Sequence, residues 1–203
     1  MTLIETAYGP ARVVVAVPAG RPVSLLVLGH GAGGDVEAPD LVAVADAALD
    51  AGAVVARVTQ PYRVAGRRTP APAAQLDSAW TAAVAELRGA GRPGADQPLI
   101  VGGRSSGARV ACRTAGPLGA VGVVALAFPL HPPGRPDRSR AGELATGVPT
   151  LVVNGAADPF GVPIAGGHVE VCVRPGERHD LRRDPAAVGA VVVGWLRRHG
   201  WAS

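Results

Sequence analysis

The feature that most limits the fold of this chain is a series of short, uninterrupted apolar runs. Ser24–Gly29, Leu99–Gly102, Val121–Phe128 and Thr150–Asn154 show no polar alternation, and Val54–Val58 is another β-branched run. Strands covered on both faces read this way, whereas a strand with one wet face alternates. Between the runs lie segments of helical period, Leu41–Leu49, Ala74–Arg88 and Ser106–Ala115. Repeated strand–helix units imply an α/β protein, with a mostly parallel sheet and helices on both faces. Ahead of them, Thr2–Tyr8 and Arg12–Val17 predict an antiparallel hairpin around a Gly9-Pro10 turn. Val64–Ala73, rich in Arg and Pro, predicts a loop. His168–Val173 alternates as a strand, and Asp184 with Pro185 is a start signal for a last helix reaching Arg198. The stretch from Leu130 to Pro149 has room for one small helix and none for a cap domain. With no repeat, linker or low-complexity tail, one domain over residues 1–203 is expected.

Composition narrows the chemistry. With 48% hydrophobic and 18% charged residues the chain is globular rather than disordered. Aromatics are only 3%, so Val, Leu, Ala and Ile must fill the core. There is no lysine, which excludes a Schiff-base lysine, a phosphate-loop lysine and a Ser-Lys dyad. The arginines occur singly or in pairs such as Arg67-Arg68, Arg182-Arg183 and Arg197-Arg198. A nucleic-acid surface would want a continuous basic stripe with aromatics, so no nucleic-acid partner is expected. Cys112 and Cys172 are far apart in apolar stretches and read as buried small hydrophobes. No apolar run is long enough to span a bilayer, and no basic-then-apolar leader opens the chain. A cytoplasmic location without membrane association is the expectation.

Gly103-Arg104-Ser105-Ser106-Gly107 stands between a strand and a helix. It matches G-x-S-x-G, in which a nucleophilic serine sits on a strained turn that tolerates only small residues two positions away on either side. Ser105 meets that rule; Ser106 would be flanked by Arg104 and Ala108. His30-Gly31-Ala32-Gly33-Gly34 follows the third strand, where the same fold places a backbone N–H that stabilises an oxyanion. Ala32 and Ser106 are the expected donors, and His30, which precedes the loop, is expected to shape it. The same stretch also reads Gly29-x-Gly31-x-x-Gly34, a dinucleotide pattern. The acidic residue such a site needs at the end of the next strand is missing from Arg57-Val58-Thr59.

Asp158 follows the strand Thr150–Asn154, and His179 lies between the last strand and the last helix. Ser105, Asp158 and His179 therefore occur in the chain order this fold uses for a catalytic triad. His179 would take the serine proton and return it to the leaving group, while Asp158 holds the imidazole in the right tautomer. Asp180 and Asp137 are fallback acids. His168 and Glu170 share a strand face without a third ligand, so no metal site and no cofactor are expected. Gly31, Arg104 and His131 are the candidates for substrate contact.

The residues His30-Gly-Ala-Gly-Gly-Asp35, Gln60-Pro-Tyr62 with Gly66-Arg67-Arg68, and Gly102-Gly-Arg-Ser105 occur in order with Phe128-Pro-Leu-His131-Pro-Pro-Gly134, Asp158-Pro-Phe-Gly161 and His179-Asp-Leu181. Together they resemble the dienelactone-hydrolase-like α/β-hydrolases, and more narrowly the branch shared with testis-expressed and chromatin-complex relatives. The resemblance implies an α/β-hydrolase fold and carries Ser105, Asp158 and His179 over as the triad. Ser106 departs from the methionine of many relatives. The expected activity is hydrolysis of a small-molecule carboxylic ester or thioester through an acyl-enzyme. The competing expectation is a catalytically silent binding or scaffold protein of the same fold; a homo-oligomer is left open.

Overall fold

The computed structural model describes residues 1–203. Its strands are β1 (Thr2–Ile4), β2 (Ala11–Ala16), β3 (Ser24–Gly29), β4 (Ala53–Thr59), β5 (Leu99–Arg104), β6 (Gly122–Leu126), β7 (Thr150–Gly155) and β8 (Val169–Arg174). Its α-helices are α1 (Pro39–Asp50), α2 (Pro61–Val64), α3 (Ala73–Leu87), α4 (Ser106–Thr114) and α5 (Pro185–Arg198). All eight strands join one sheet in the order β1-β2-β4-β3-β5-β6-β7-β8. β2 runs antiparallel to both its neighbours, and the strands from β4 across to β8 are parallel. This is the α/β-hydrolase fold with its N-terminal antiparallel hairpin.

The apolar runs become strands because both faces are covered. β3, β6 and β7 are buried along their whole length, and only Arg57 in β4 and Arg104 in β5 reach partial exposure. Side chains alternate between two cores. Leu25 and Val27 pack with Leu76, Trp80 and Val84 of α3 and with Ala108 and Ala111 of α4. Leu26 and Leu28 face the other way, onto Leu41 and Val44 of α1 and Val192, Trp195 and Leu196 of α5. Each such Leu or Val side chain contributes about 1.5–3 kcal/mol by leaving water. α1 and α5 touch closely at Gly189, where a Cβ would lie 2.7 Å from the Ala43 carbonyl oxygen. Asp184 caps α5 as expected, accepting from the Ala187 N–H at 3.1 Å, with Pro185 in the first turn.

Among the boundaries that differ from the sequence-based expectation, three have a local physical reason. The first strand stops at Ile4 instead of Tyr8, because Thr6 turns the chain. Its hydroxyl donates to the Gly9 carbonyl at 2.7 Å, and such local bonds compete with a strand ladder. The Val64–Ala73 loop is entered through α2, which Pro61 starts with its fixed φ. The sixth strand ends at Leu126, because Ala127 takes φ 46° and breaks the extended run. Between β6 and β7 the chain forms one 3₁₀ turn, Ala141–Leu144, and no cap domain is inserted. No helix is long and apolar enough to cross a membrane.

Candidate active site

The site stands where β3, β5, β7 and β8 release the chain at their C-terminal ends, the edge at which parallel sheets present ligand sites. β5 passes into α4 through Ser105 alone, with φ 51° and ψ −107°. A left-handed non-glycine residue costs on the order of 1–3 kcal/mol and persists only where its surroundings enforce it. Here they do. A Cβ on Gly103 would lie 2.5 Å from the Gly29 carbonyl oxygen, and one on Gly107 equally 2.5 Å from it. The glycines two positions either side of Ser105 let β3 and α4 close on the turn, and that closure presents the hydroxyl.

The structure brings Ser105, His179 and Asp158 into one chain of hydrogen bonds. Ser105 Oγ is 2.9 Å from His179 Nε2, and His179 Nδ1 is 2.8 Å from Asp158 Oδ2. Asp158 is fully buried at its side chain, while the His179 side chain keeps one-fifth exposure. With a carboxylate at Nδ1, the proton resides there, and Nε2 is free to accept the serine proton. Asp158 is itself fixed: Oδ1 accepts from the Phe160 N–H at 2.9 Å and Oδ2 from Asn154 Nδ2 at 3.3 Å. Phe160 packs edge-on against the His179 ring, centroids 4.5 Å apart.

The glycine loop after β3 is held from behind. His30 is buried; its Nδ1–H donates to the Gly31 carbonyl at 2.8 Å and its Nε2 accepts the Gln60 N–H at 3.0 Å. Tyr62 donates to the Ala32 carbonyl at 2.6 Å, and Arg63 Nε to the Gly34 carbonyl at 2.8 Å. Burial pushes the Tyr62 phenol up to about 12, so it remains a donor. These bonds occupy the loop's carbonyls from the far side, and the Ala32 N–H has no acceptor in the protein. The Ser106 N–H, first in α4, has none either.

Burial lowers the His30 pKa from 6.5. The neutral ring's contribution to stability is complete above that value and drains away as pH falls below it toward the folded-state pKa. Protonation would aim a second N–H at the Gln60 N–H. We expect the urea midpoint to drop between about pH 7.5 and about pH 5, and His30→Ala to remove that dependence while costing about 1–3 kcal/mol at neutral pH.

A cavity of about 480 Å³ opens over Ser105, lined by the glycine loop, Arg104, Arg109, Arg140, Phe160 and His179 among others. Of the three residues expected to meet substrate, Gly31 and Arg104 line it. His131 does not: its ring lies against Gly161, whose Cβ would stand 2.9 Å from His131 Cδ2, and its backbone N–H donates to the Phe160 carbonyl. The proline-rich turn lays the half-buried ring against Gly161, outside the lining of this cavity. Arg104 is at the wall with its guanidinium already engaged: Nε is 2.9 Å from Asp40 Oδ2 and Nη2 donates to the His179 carbonyl at 2.8 Å. Asp137 is paired with Arg135 and Asp180 with Arg182, each on the surface. His168 bonds the Leu144 carbonyl, and Glu170 bonds Trp195 and Arg198. No group of three His, Cys, Asp or Glu is close enough to hold a metal ion. Cys112, whose thiol burial pushes up to about 12, is no nucleophile.

Sequence reasoning missed Asp40, Asn154 and Glu177. Asp40 reads as an ordinary first-turn acid of a helix, and nothing local tells that it is buried. Asn154 clips both backbone groups of Phe128 as well as Asp158. Buried Glu177 closes the His179 loop by accepting from the N–H groups of Arg183 and Asp184. Its signal was its position two residues before His179.

Comparison with known proteins agrees with this architecture. A family model described as an alpha/beta hydrolase domain matches residues 22–171. Among curated proteins none matches the sequence. An alpha-beta serine hydrolase homologue from Coxiella burnetii superimposes with a TM-score of 0.81 at 17% identity, covering 96% of each chain. A serine hydrolase without lid from Xanthomonas campestris gives 0.75 at 21% identity, covering 98% of this chain and 93% of its own. A dienelactone hydrolase from Anabaena variabilis gives 0.76 at 18% identity, covering 97% and 95%. With the family model spanning most of the sequence and the sheet order, hairpin and strand-end turn of that fold all present, the chain belongs to the alpha/beta hydrolase domain family.

Proposed function

We propose that this protein is a serine hydrolase that cleaves a carboxylic ester or thioester through an acyl-enzyme. The observation that carries the reading is the continuous relay from Ser105 Oγ through His179 to buried Asp158, at 2.9 and 2.8 Å, with the serine on a strained turn. His179 removes the serine proton as Ser105 attacks the carbonyl carbon. The developing oxyanion is met by the Ala32 and Ser106 N–H groups, a donor pair of which either member is worth about 10²–10³ in rate. His179 then protonates the leaving alcohol or thiol, and a water repeats the sequence to release the acid. The fold likeness to serine hydrolases and an esterase supports the same class.

The cavity wall bears on the substrate. It carries three arginines and no carboxylate, and few apolar side chains. Arg104 and Arg109 have carboxylate partners, Asp40 and Glu143, whereas Arg140 has only the Pro129 and His131 carbonyls, each at 3.4 Å. A small polar ester, with a negative charge on its acyl or alcohol part, suits that wall better than a long acyl chain.

Labelling with a fluorophosphonate probe tests the reading. The expected result is an adduct located by mass spectrometry on Ser105, absent in Ser105→Ala and strongly slowed in His179→Ala. Turnover of p-nitrophenyl acetate should follow the same pattern. A folded wild-type protein that takes no adduct on any serine would instead place it among binding or scaffold proteins that keep the fold without the chemistry.

A further inference from the structure

We propose that the Asp40–Arg104 ion pair is a positioning device that sets the His179 loop against the Ser105 turn, and that Arg104 takes no part in binding substrate. The inference rests on the serine-hydrolase reading and adds two residues to its machinery.

Arg104 ends β5 and directly precedes Ser105. Its guanidinium has little left to offer a ligand. Nε faces Asp40 Oδ2 at 2.9 Å, and Nη2 donates to the backbone carbonyl of His179 at 2.8 Å, a contact spanning 75 residues of sequence. Nη1 lies against Gly31, 3.2 Å from where a Cβ on that residue would sit. One planar fork thus joins the nucleophile turn, the N-terminal turn of α1 and the base-bearing loop, with the oxyanion loop flush against it.

Asp40 explains why the fork stays in place. Its side chain has no exposure and Arg104 only 15%. Its two oxygens and Arg104 Nε make no straight hydrogen bond to each other, so the contact is charge against charge. Burial pushes the Asp40 carboxyl up from its ordinary range, and Arg104 is the main group that pulls it back. A buried pair of this kind adds little net stability over an apolar replacement; its best-attested use is to fix a geometry.

The geometry that needs fixing is visible in the loop's other bonds. Glu177 accepts from Arg183 and Asp184 within the loop, and Leu181 N–H donates to the Arg178 carbonyl, also within it. The Glu177 carbonyl accepts from Ala157 N–H, which ties the loop to the Asp158 turn. The acid side of the relay is therefore anchored by backbone. On the serine side, the backbone of His179 is anchored by Arg104. Without it, the His179 ring keeps Asp158 and Phe160, but its backbone loses its tie to the Ser105 turn, and a misplacement near 1 Å can cost about 10²-fold in rate.

Three variants test this: Arg104→Lys, Arg104→Met and the near-isosteric Asp40→Asn, which guards against a variant that fails to fold. Neutral p-nitrophenyl acetate is the substrate, with fluorophosphonate labelling rate and hydrogen exchange over residues 177–183 measured alongside. An ammonium cannot hold two partners in a fork, so Arg104→Lys should behave like Arg104→Met. The expected result is a fall in kcat of about 10- to 100-fold with KM within about twofold, an equal fall in labelling rate, and faster exchange across the loop. Arg104→Lys at wild-type kcat overturns the proposal, as does a loss confined to KM. So does a lowered melting temperature with wild-type kcat in the folded protein. A wild-type protein inert to the probe overturns the hydrolase reading and this inference with it; a wild type that labels beside an equally reactive Arg104→Lys overturns the inference alone.

Discussion

Asp158→Asn is expected to lower kcat for short neutral esters by about 10⁴-fold, with a much smaller effect on stability. The reason lies in who donates to whom. Asp158 accepts three hydrogen bonds, from His179 Nδ1, Asn154 Nδ2 and the Phe160 N–H. An asparagine has only one acceptor oxygen. With its amide nitrogen toward His179, the imidazole must place its proton on Nε2, where it faces Ser105 and can accept nothing. With the nitrogen turned toward the Phe160 N–H, two donors face each other and the turn after β7 is disturbed. The first arrangement leaves the serine without a base; the second puts the carbonyl opposite His179 but removes the negative charge that stabilises its protonated form. The folding cost is that of a mismatched buried bond, about 1–3 kcal/mol. Steady-state kinetics with p-nitrophenyl acetate, beside a urea melt, separates the two effects. A variant within about tenfold of wild-type kcat would mean that Asp158 is not the residue orienting the base.

Gly107→Ala is expected to be among the most damaging single-methyl additions in the chain. A Cβ there would lie 2.5 Å from the Gly29 carbonyl oxygen, 2.6 Å from its carbonyl carbon and 2.8 Å from the His30 carbonyl oxygen. All three atoms are backbone of β3 and the loop it feeds, so no side chain can swing aside. Relief requires moving α4 off the sheet, which separates Ala108 and Ala111 from the β3 core and opens the Ser105 turn. A loss of about 4 kcal/mol or more follows, a large part of the 5–15 kcal/mol that holds a typical domain. Gly194→Ala is the matched control. Gly194 is helical, in α5, with nothing within 4 Å of its Cβ position, and alanine there should stabilise by about 0.5–1 kcal/mol. Urea midpoints of the two variants should therefore move in opposite directions. A Gly107→Ala protein that melts with the wild type would mean that α4 and β3 are not so closely apposed.

The two experiments also mark how far the amino-acid order reaches. Gly107 was legible as a required glycine before any coordinates, because a strained serine turn has no space two residues on. The sheet was legible for a similar reason. Strands buried on both faces are apolar nearly throughout, and their alternation with helical segments implies a mostly parallel sheet covered on both faces. Asp158 and His179 were legible through position, each just beyond a strand end at the sheet edge where the fold gathers its loops. In all these cases one segment carries both the constraint and its cause.

Arg104, His131 and Asp40 show where that reach ends. Arg104 beside the nucleophile suggested contact with substrate, and the local sequence says nothing against it. Its partners come from α1, which follows β3 beside β5, and from the loop beyond β8, the edge strand, which reaches back to the Ser105 turn. His131 follows a strand at the proper edge, yet the turn it belongs to directs its ring onto Gly161. Asp40 drew no attention in the sequence and is fully buried. The sequence by itself determined the order of elements, the strained turn and the three side chains the fold brings into one relay, because steric and burial rules act within a segment. Only the tertiary structure decided which charges are paired, which ring faces the cavity and what braces the base, because burial and ion pairing are set by segments distant in the chain that the folded sheet makes neighbours.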